Sequence, residues 1–263
     1  MNATATLPFG QTTTSYEELL DTTDIDAASD IASNFGVTDP KASTDAFLRQ
    51  VPHLLSWLAE YGRQYPWRDT KDPWKVYLTE ILLQRTNGNA VATIYDDVLD
   101  RFPSPCSLDR ATDEEIQQVV YSLGLVDNRV KTLRSIGTTF CNEYNNNVPD
   151  ALEKLKEPWG VGNYSARATQ LFARDRALAL VDANIIRVIE RVLDLEMPQQ
   201  PHKDDDVYRF MEALTPDTPE LARAFNLALL DLGALICTPT NPACESCPIN
   251  ECCTYYMKTK LVK

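Results

Sequence analysis

Apolar residues recur along this chain at helical spacing. From about Ser43, Val51, Leu54, Leu55, Leu58 and Tyr61 fall three or four residues apart and predict a helix that stops near Gly62. Tyr65-Pro66-Trp67-Arg68 then reads as an extended turn. Residues 74–85 resume the pattern, with Val76, Ile81, Leu82 and Leu83 apolar and one acid, Glu80, among them. Helical runs follow at residues 90–101, 113–123, 129–144 and 166–172, and again at 204–214 and 219–236. Residues 177–181 form a short apolar segment that ends on Asp182, after which Ile185, Ile186, Val188 and Ile189 mark another amphipathic run. Strand periodicity is nearly absent, so the fold class is all-α.

Residues 1–42 break this pattern. They are rich in Thr, Ala, Ser and Asp, hold few large apolar residues, and read as an acidic, disordered tail. Ser15-Tyr16-Glu17-Glu18 offers a capping box for one short helix within it.

Two stretches carry candidate chemistry. Gly160, Val161 and Gly162 form a tight turn that runs into Asn163, Tyr164 and Ser165 at the start of a helix. Free backbone N–H groups at a helix start bind phosphate, and a turn joining two helices has the same signature. Asp182 stands where an N-cap or a partly desolvated catalytic carboxylate would stand, and one residue can be both.

The cysteines add a third stretch. Cys237, Cys244, Cys247 and Cys253 are spaced C-x6-C-x2-C-x5-C, which suits zinc or a [4Fe–4S] cluster. Only Cys244 and Cys247 form the close pair that zinc sites usually duplicate. Cys252 adjoins Cys253, and the spacing leaves open which of the two ligates. Cys106 and Cys141 are expected to be buried thiols, and no disulfide is expected.

These motifs together resemble the helix-hairpin-helix DNA glycosylases of the endonuclease III superfamily. Gly160-Val161-Gly162, Tyr164 and Val181-Asp182 match the family's hairpin, variable catalytic position and following V-D; Pro158-Trp159 departs from its usual Leu-Pro. PWRDTKDPWKVYLTEILLQRT, ending at Thr86, is similar to the start of the catalytic core in adenine and thymine mismatch glycosylases. The resemblance covers about residues 50–256 and implies two helical lobes with a cleft between them. It places one lobe at about 74–182, the other at 43–73 and 183–236, a cluster loop at 237–253 and a C-terminal tail at 257–263.

The resemblance also implies roles. Asp182 would stabilise the oxocarbenium-like sugar, Glu80 would assist with a proton or an ordered water, and Tyr164 would pack on the extruded base. Gln84, Arg85 and Leu125 would enter or border the DNA stack. Gly160, Val161, Gly162, Asn163 and Ser165 would hold the DNA backbone, with a monovalent cation at the hairpin. Cys237, Cys244, Cys247 and Cys253 would bind a [4Fe–4S] cluster. Lyase relatives carry Lys where Tyr164 stands, and no Lys occurs between Lys156 and Lys203, so a monofunctional enzyme is expected. Thymine or uracil opposite guanine is the expected target. Adenine opposite guanine or 8-oxoguanine is the alternative, set aside because the chain ends ten residues after Cys253 and leaves no room for a further domain that reads the opposite base. A catalytically silent DNA-binding module is a third reading, and it predicts loss of Glu80 or Asp182, both of which are present.

Charge complicates this picture. The chain carries a net −13, which phosphate binding does not favour. Residues 1–45 hold eight acids and one Lys41, and the remainder is still acidic. Abundant Asp and an excess of Arg over Lys resemble proteins of salt-loving archaea, where brine screens charge within a few Å. No apolar run approaches the roughly 20 residues of a membrane span. The expected setting is the cytoplasm of a prokaryote, with a monomer acting on double-stranded, mismatched DNA.

Overall fold

The computed structural model describes residues 14–261. Among these there is no β-strand, and there are fifteen α-helices, the longest link being the cysteine-bearing one between Leu235 and Thr254. The chain packs as two units, one built from residues up to Arg63 and from Ala177 on, the other from Gln64–Arg176.

The first unit opens with α1 (Tyr16–Thr22), α2 (Ile25–Ser33) and α3 (Pro40–Tyr61). This corrects the expectation of a disordered tail for residues 14–42; residues 1–13 lie outside the described part. Ser15 caps α1 by accepting from the Glu18 amide at 3.1 Å, and Asp24 caps α2 through Ala27 at 3.0 Å. Leu19, Ala28, Ala32 and Phe35 are all buried. The Tyr16 hydroxyl also donates to Asp45 on α3. Ala28 and Ala32, one turn apart, form a small buried face on which α2 packs against α3. In α3, Phe47, Leu48, Val51, Leu54, Leu55 and Leu58 face inward, and the Gly62 amide closes the helix on the Leu58 carbonyl at 2.8 Å.

The second unit holds α4 (Pro73–Leu82), α5 (Gly88–Ala92), α6 (Tyr95–Arg101), α7 (Pro105–Arg110), α8 (Asp113–Val120), α9 (Val126–Asn142), α10 (Leu152–Leu155) and α11 (Asn163–Arg174). Its core gathers Trp67, Tyr77, Leu78, Ile136 and Phe140. The Tyr77 hydroxyl is satisfied by the Leu155 carbonyl at 2.8 Å, and the Trp74 indole by that of Phe102 at 2.8 Å. Trp67 stacks on Tyr65 at 4.6 Å and meets Tyr95 at 5.5 Å. That aromatic packing draws residues 64–73 into this unit rather than the first, where the sequence had put them.

Cys106 and Cys141 form a disulfide between α7 and α9. This overturns the expectation of two buried thiols. A pairing across 35 residues leaves no local spacing signal, so only the packing of α7 on α9 reveals it.

The chain returns to the first unit with α12 (Ala183–Leu193), α13 (Asp205–Leu214), α14 (Pro219–Leu235) and α15 (Thr254–Leu261). Phe35 meets Phe210 of α13 edge-on at 6.0 Å, and Phe47 meets Phe225 of α14 at 6.2 Å. The fully buried Asp231 is paired with Arg63 at 2.7 Å, which anchors the end of the first segment. The expected tail at 257–263 is helical through Leu261, with Tyr256 buried and Lys258 paired to Asp194 at 2.6 Å.

Candidate active site and DNA interface

In the second unit, Pro158 to Gly162 joins α10 to α11. Gly160 has φ +82°, and a Cβ there would stand 2.5 Å from the Thr132 hydroxyl, so both conformation and space demand glycine. Gly162 differs: a Cβ there would meet nothing within 4 Å. Its lack of a side chain leaves the start of α11 open to an outside molecule, and no side chain caps that helix. Val161 packs against the core and fixes the turn from within. Asn163 and Tyr164 are partly exposed and Ser165 is buried. Trp159, at the position that departs from Leu-Pro, is 44% exposed, with the Lys131 ammonium 3.9 Å from its ring.

The end of α4 meets this turn. Gln84 donates from Nε2 to the Gly160 carbonyl at 3.2 Å and to the Ser165 hydroxyl at 3.3 Å. Arg85 follows, exposed and left-handed at φ +54°. Leu125 is also left-handed, at φ +52°, sits just before α9 and is 50% exposed. An apolar side chain held out in that conformation is not packing in a core. Glu80 lies on α4 at 5% exposure, so the solvated helix face expected of a surface glutamate is excluded.

Asp182 belongs to the first unit and caps α12. Its Oδ1 accepts from the Ile185 backbone amide at 2.7 Å and its Oδ2 from the Asn184 side-chain Nδ2 at 3.1 Å. Burial raises its pKa above the ordinary carboxylate value, while the bonds from Ile185 and Asn184 pull the other way. The segment before it is held by groups that sequence reasoning missed. Asn226 of α14 accepts from the Leu180 amide at 2.8 Å and donates to the Leu178 carbonyl at 3.1 Å, and Glu212 of α13 accepts from the Ala179 amide at 3.2 Å. Asn184 accepts from Arg187 at 2.7 Å, and Arg187 donates to the carbonyls of Gly233 and Cys237, each at 2.7 Å. Nothing in the local sequence marks Asn226, whose role arises only once α14 lies beside the segment.

Cys237, Cys244, Cys247 and Cys253 line one largely apolar cavity with Val188, Leu232 and Ile249. Cys252 does not line it, and its thiol donates to the Ile249 carbonyl at 3.3 Å. Among the described residues no three Cys, His, Asp or Glu side chains are grouped closely enough to grip a single metal ion. Four thiols lining one shared space are a donor set of the kind that binds zinc or an iron–sulfur cluster. Arg191 donates to the Cys237 sulfur at 3.3 Å, a charge partner suited to thiolate ligands. Burial pushes the Cys247 thiol up to about 12.

The profile of the HhH-GPD superfamily base excision DNA repair proteins matches residues 78–217. A thymine-DNA glycosylase of Aeropyrum pernix is 36% identical over 205 residues, which span 77% of this chain and 92% of that protein. An adenine DNA glycosylase of Mycobacterium tuberculosis is 34% identical over 221 residues, 82% of this chain and 69% of that protein. Among solved structures, a thermostable thymine-DNA glycosylase superposes with a TM-score of 0.72 at 30% identity, covering 82% of this chain and 98% of its own. The chain belongs to the HhH-GPD superfamily of base excision DNA repair proteins.

Proposed function

We propose that this protein is a monofunctional DNA glycosylase that hydrolyses the N-glycosidic bond of a mispaired thymine or uracil opposite guanine. The observation that carries the reading is Asp182, a desolvated carboxylate held rigidly at the start of α12 by Ile185 and Asn184. A fixed negative charge stabilises positive charge developing on the sugar without reorganising during the reaction. The target base must leave the stack first. Glu80, buried on α4, is assigned the proton or water that assists departure. Tyr164 packs on the extruded base. It offers no amine, so no Schiff base forms at its position and strand cleavage does not follow.

Gly162 and the uncapped start of α11 are assigned to the DNA backbone, with Asn163 and Ser165 beside them and room for a monovalent cation at the turn. Arg85 and Leu125 are assigned to the duplex stack, with Gln84 bordering it. Cys237, Cys244, Cys247 and Cys253 are assigned to a [4Fe–4S] cluster, and their common cavity supports that choice. When bound, the cluster would tie the C-terminal loop to α12 and α14 through metal–thiolate bonds. The acidic surface suits a monomer working in concentrated salt, where repulsion from phosphate is screened.

The similarity to adenine glycosylases supports a second reading, adenine opposite guanine or 8-oxoguanine. One panel separates them: duplexes carrying T·G, U·G, A·G and A·8-oxoguanine, each treated with and without borohydride. Release from T·G and U·G with no trapped protein–DNA adduct is expected. Release from the adenine duplexes alone would select the second reading. Release from none would leave a binding module, and an efficient adduct would end the monofunctional assignment.

A further inference from the structure

Seven residues other than glycine have positive φ among the described residues, and five of them are Asn or Asp. Those side chains are short and polar and tolerate the left-handed conformation. Arg85 and Leu125 are the two exceptions. Something must hold both backbones where their own side chains do not favour it.

Arg129 does so for both. It lies on the first turn of α9 at 5% exposure. A guanidinium carries five N–H groups, and five acceptors surround this one. Nε donates to the Gly124 carbonyl at 2.9 Å. Nη1 donates to the carbonyls of Ile81 at 3.3 Å and Leu82 at 3.0 Å. Nη2 donates to the Gln84 carbonyl at 2.8 Å and to the Thr86 hydroxyl. The two Nη2 bonds thus grip the residues on either side of Arg85, and the Nε bond grips the residue just before Leu125. Ile81 and Leu82 lie at the C-terminal end of α4, where the helix dipole favours a cation.

We propose that Arg129 is a positioning residue that locks Arg85 and Leu125 into one rigid pair of projections for insertion into duplex DNA. The proposal rests on the glycosylase reading above. A lysine cannot serve in its place, since its ammonium has three donors from a single atom and cannot span acceptors on two separate segments. Pre-set projections matter most when a stacked, paired base has to be opened, and least when it is already unpaired.

The test compares single-turnover release of thymine from a fully paired T·G duplex and from the same thymine in an unpaired bubble. Arg129→Met is expected to lose about tenfold or more on the paired duplex, as for loss of a charge-assisted hydrogen bond, and about twofold or less on the bubble. Arg129→Lys should fall between Met and wild type. Leu125→Ala should show the same selective loss, and adding it to Arg129→Met should cost little more, because both changes remove one device. Should Arg129→Met fail to fold, Thr86→Val, which removes one acceptor, should show a smaller loss of the same selective kind. Equal losses on duplex and bubble would make Arg129 merely structural and overturn the proposal. So would a Leu125→Ala protein with unchanged selectivity. If the wild type releases no base from either substrate, the glycosylase reading itself has failed.

Discussion

The side-chain amide of Gln84 stands 3.2 Å from the carbonyl oxygen of Gly160. This bond joins the end of α4 to the turn before α11, two stretches that are 76 residues apart in sequence. It means that the residue beside Arg85 and the glycine turn assigned to the DNA backbone are held as one surface. Gln84→Ala should therefore weaken duplex binding more than it weakens folding, which paired titration and melting measurements would read.

The two glycines of the turn should respond differently to the same change. Gly160→Ala forces a Cβ to 2.5 Å from the Thr132 hydroxyl at φ +82°, and should cost about 1–3 kcal/mol of stability. Gly162→Ala points into open space at φ −108°, so its melting temperature should match wild type. Its affinity for duplex DNA should still drop several-fold, because the added methyl stands where phosphate would approach. Equal affinity for wild type and Gly162→Ala would remove that turn from the DNA interface.

Deleting residues up to 36 should destabilise the first unit. Leu19 and Phe35 are buried, and removing them exposes their partners, Phe210 among them, at a cost of about 1.5–3 kcal/mol for each side chain. Urea unfolding of the truncated and full chains measures this. An unchanged midpoint would mean that α1 and α2 contribute nothing to the fold.

The cavity assigns the adjacent cysteines different fates. Cys253→Ser should lose iron and the visible absorbance of a cluster, while Cys252→Ser should keep both. Iron analysis of protein purified without oxygen decides it, and full iron in Cys253→Ser would contradict the assignment.

Asp182 should be a cost to stability. Burial raises its pKa from the ordinary 3.8, so the folded protein holds the proton to higher pH than the unfolded chain does. Stability from this group is then lost as pH rises from the ordinary carboxylate value through the raised one, and it stays lost above. Asn keeps an acceptor for the Ile185 amide but never ionises. The melting temperature of Asp182→Asn relative to wild type should rise across that window and level off above it. A variant less stable than wild type at neutral pH would show that the charge supports the fold.

Much of the architecture was legible from spacing alone. The apolar faces of α3, α9, α12 and α13 follow helical periodicity closely enough to place each one, because each has a single buried stripe, whereas α4 and α14 are buried on nearly all sides. The glycine turn and Asp182 were legible because only a few residue types satisfy a left-handed turn or a helix start. The helices at 14–33 were not, because alanines that permit close packing look the same in composition as alanines in a solvated segment. Arg129 was hidden for a related reason. An arginine in an amphipathic run reads as exposed, and four of its five acceptors come from residues 81–86, which meet it only in the folded chain.

On the proposed reading, the carboxylate of Asp182 drives release of a mispaired base. The direct measurement is single-turnover excision of thymine from a T·G duplex by wild type and Asp182→Asn, with duplex affinity measured alongside. Affinity should match, and excision should fall by about a hundredfold or more, the usual loss when one well-placed electrostatic group is removed. Excision by Asp182→Asn at the wild-type rate would contradict that reading.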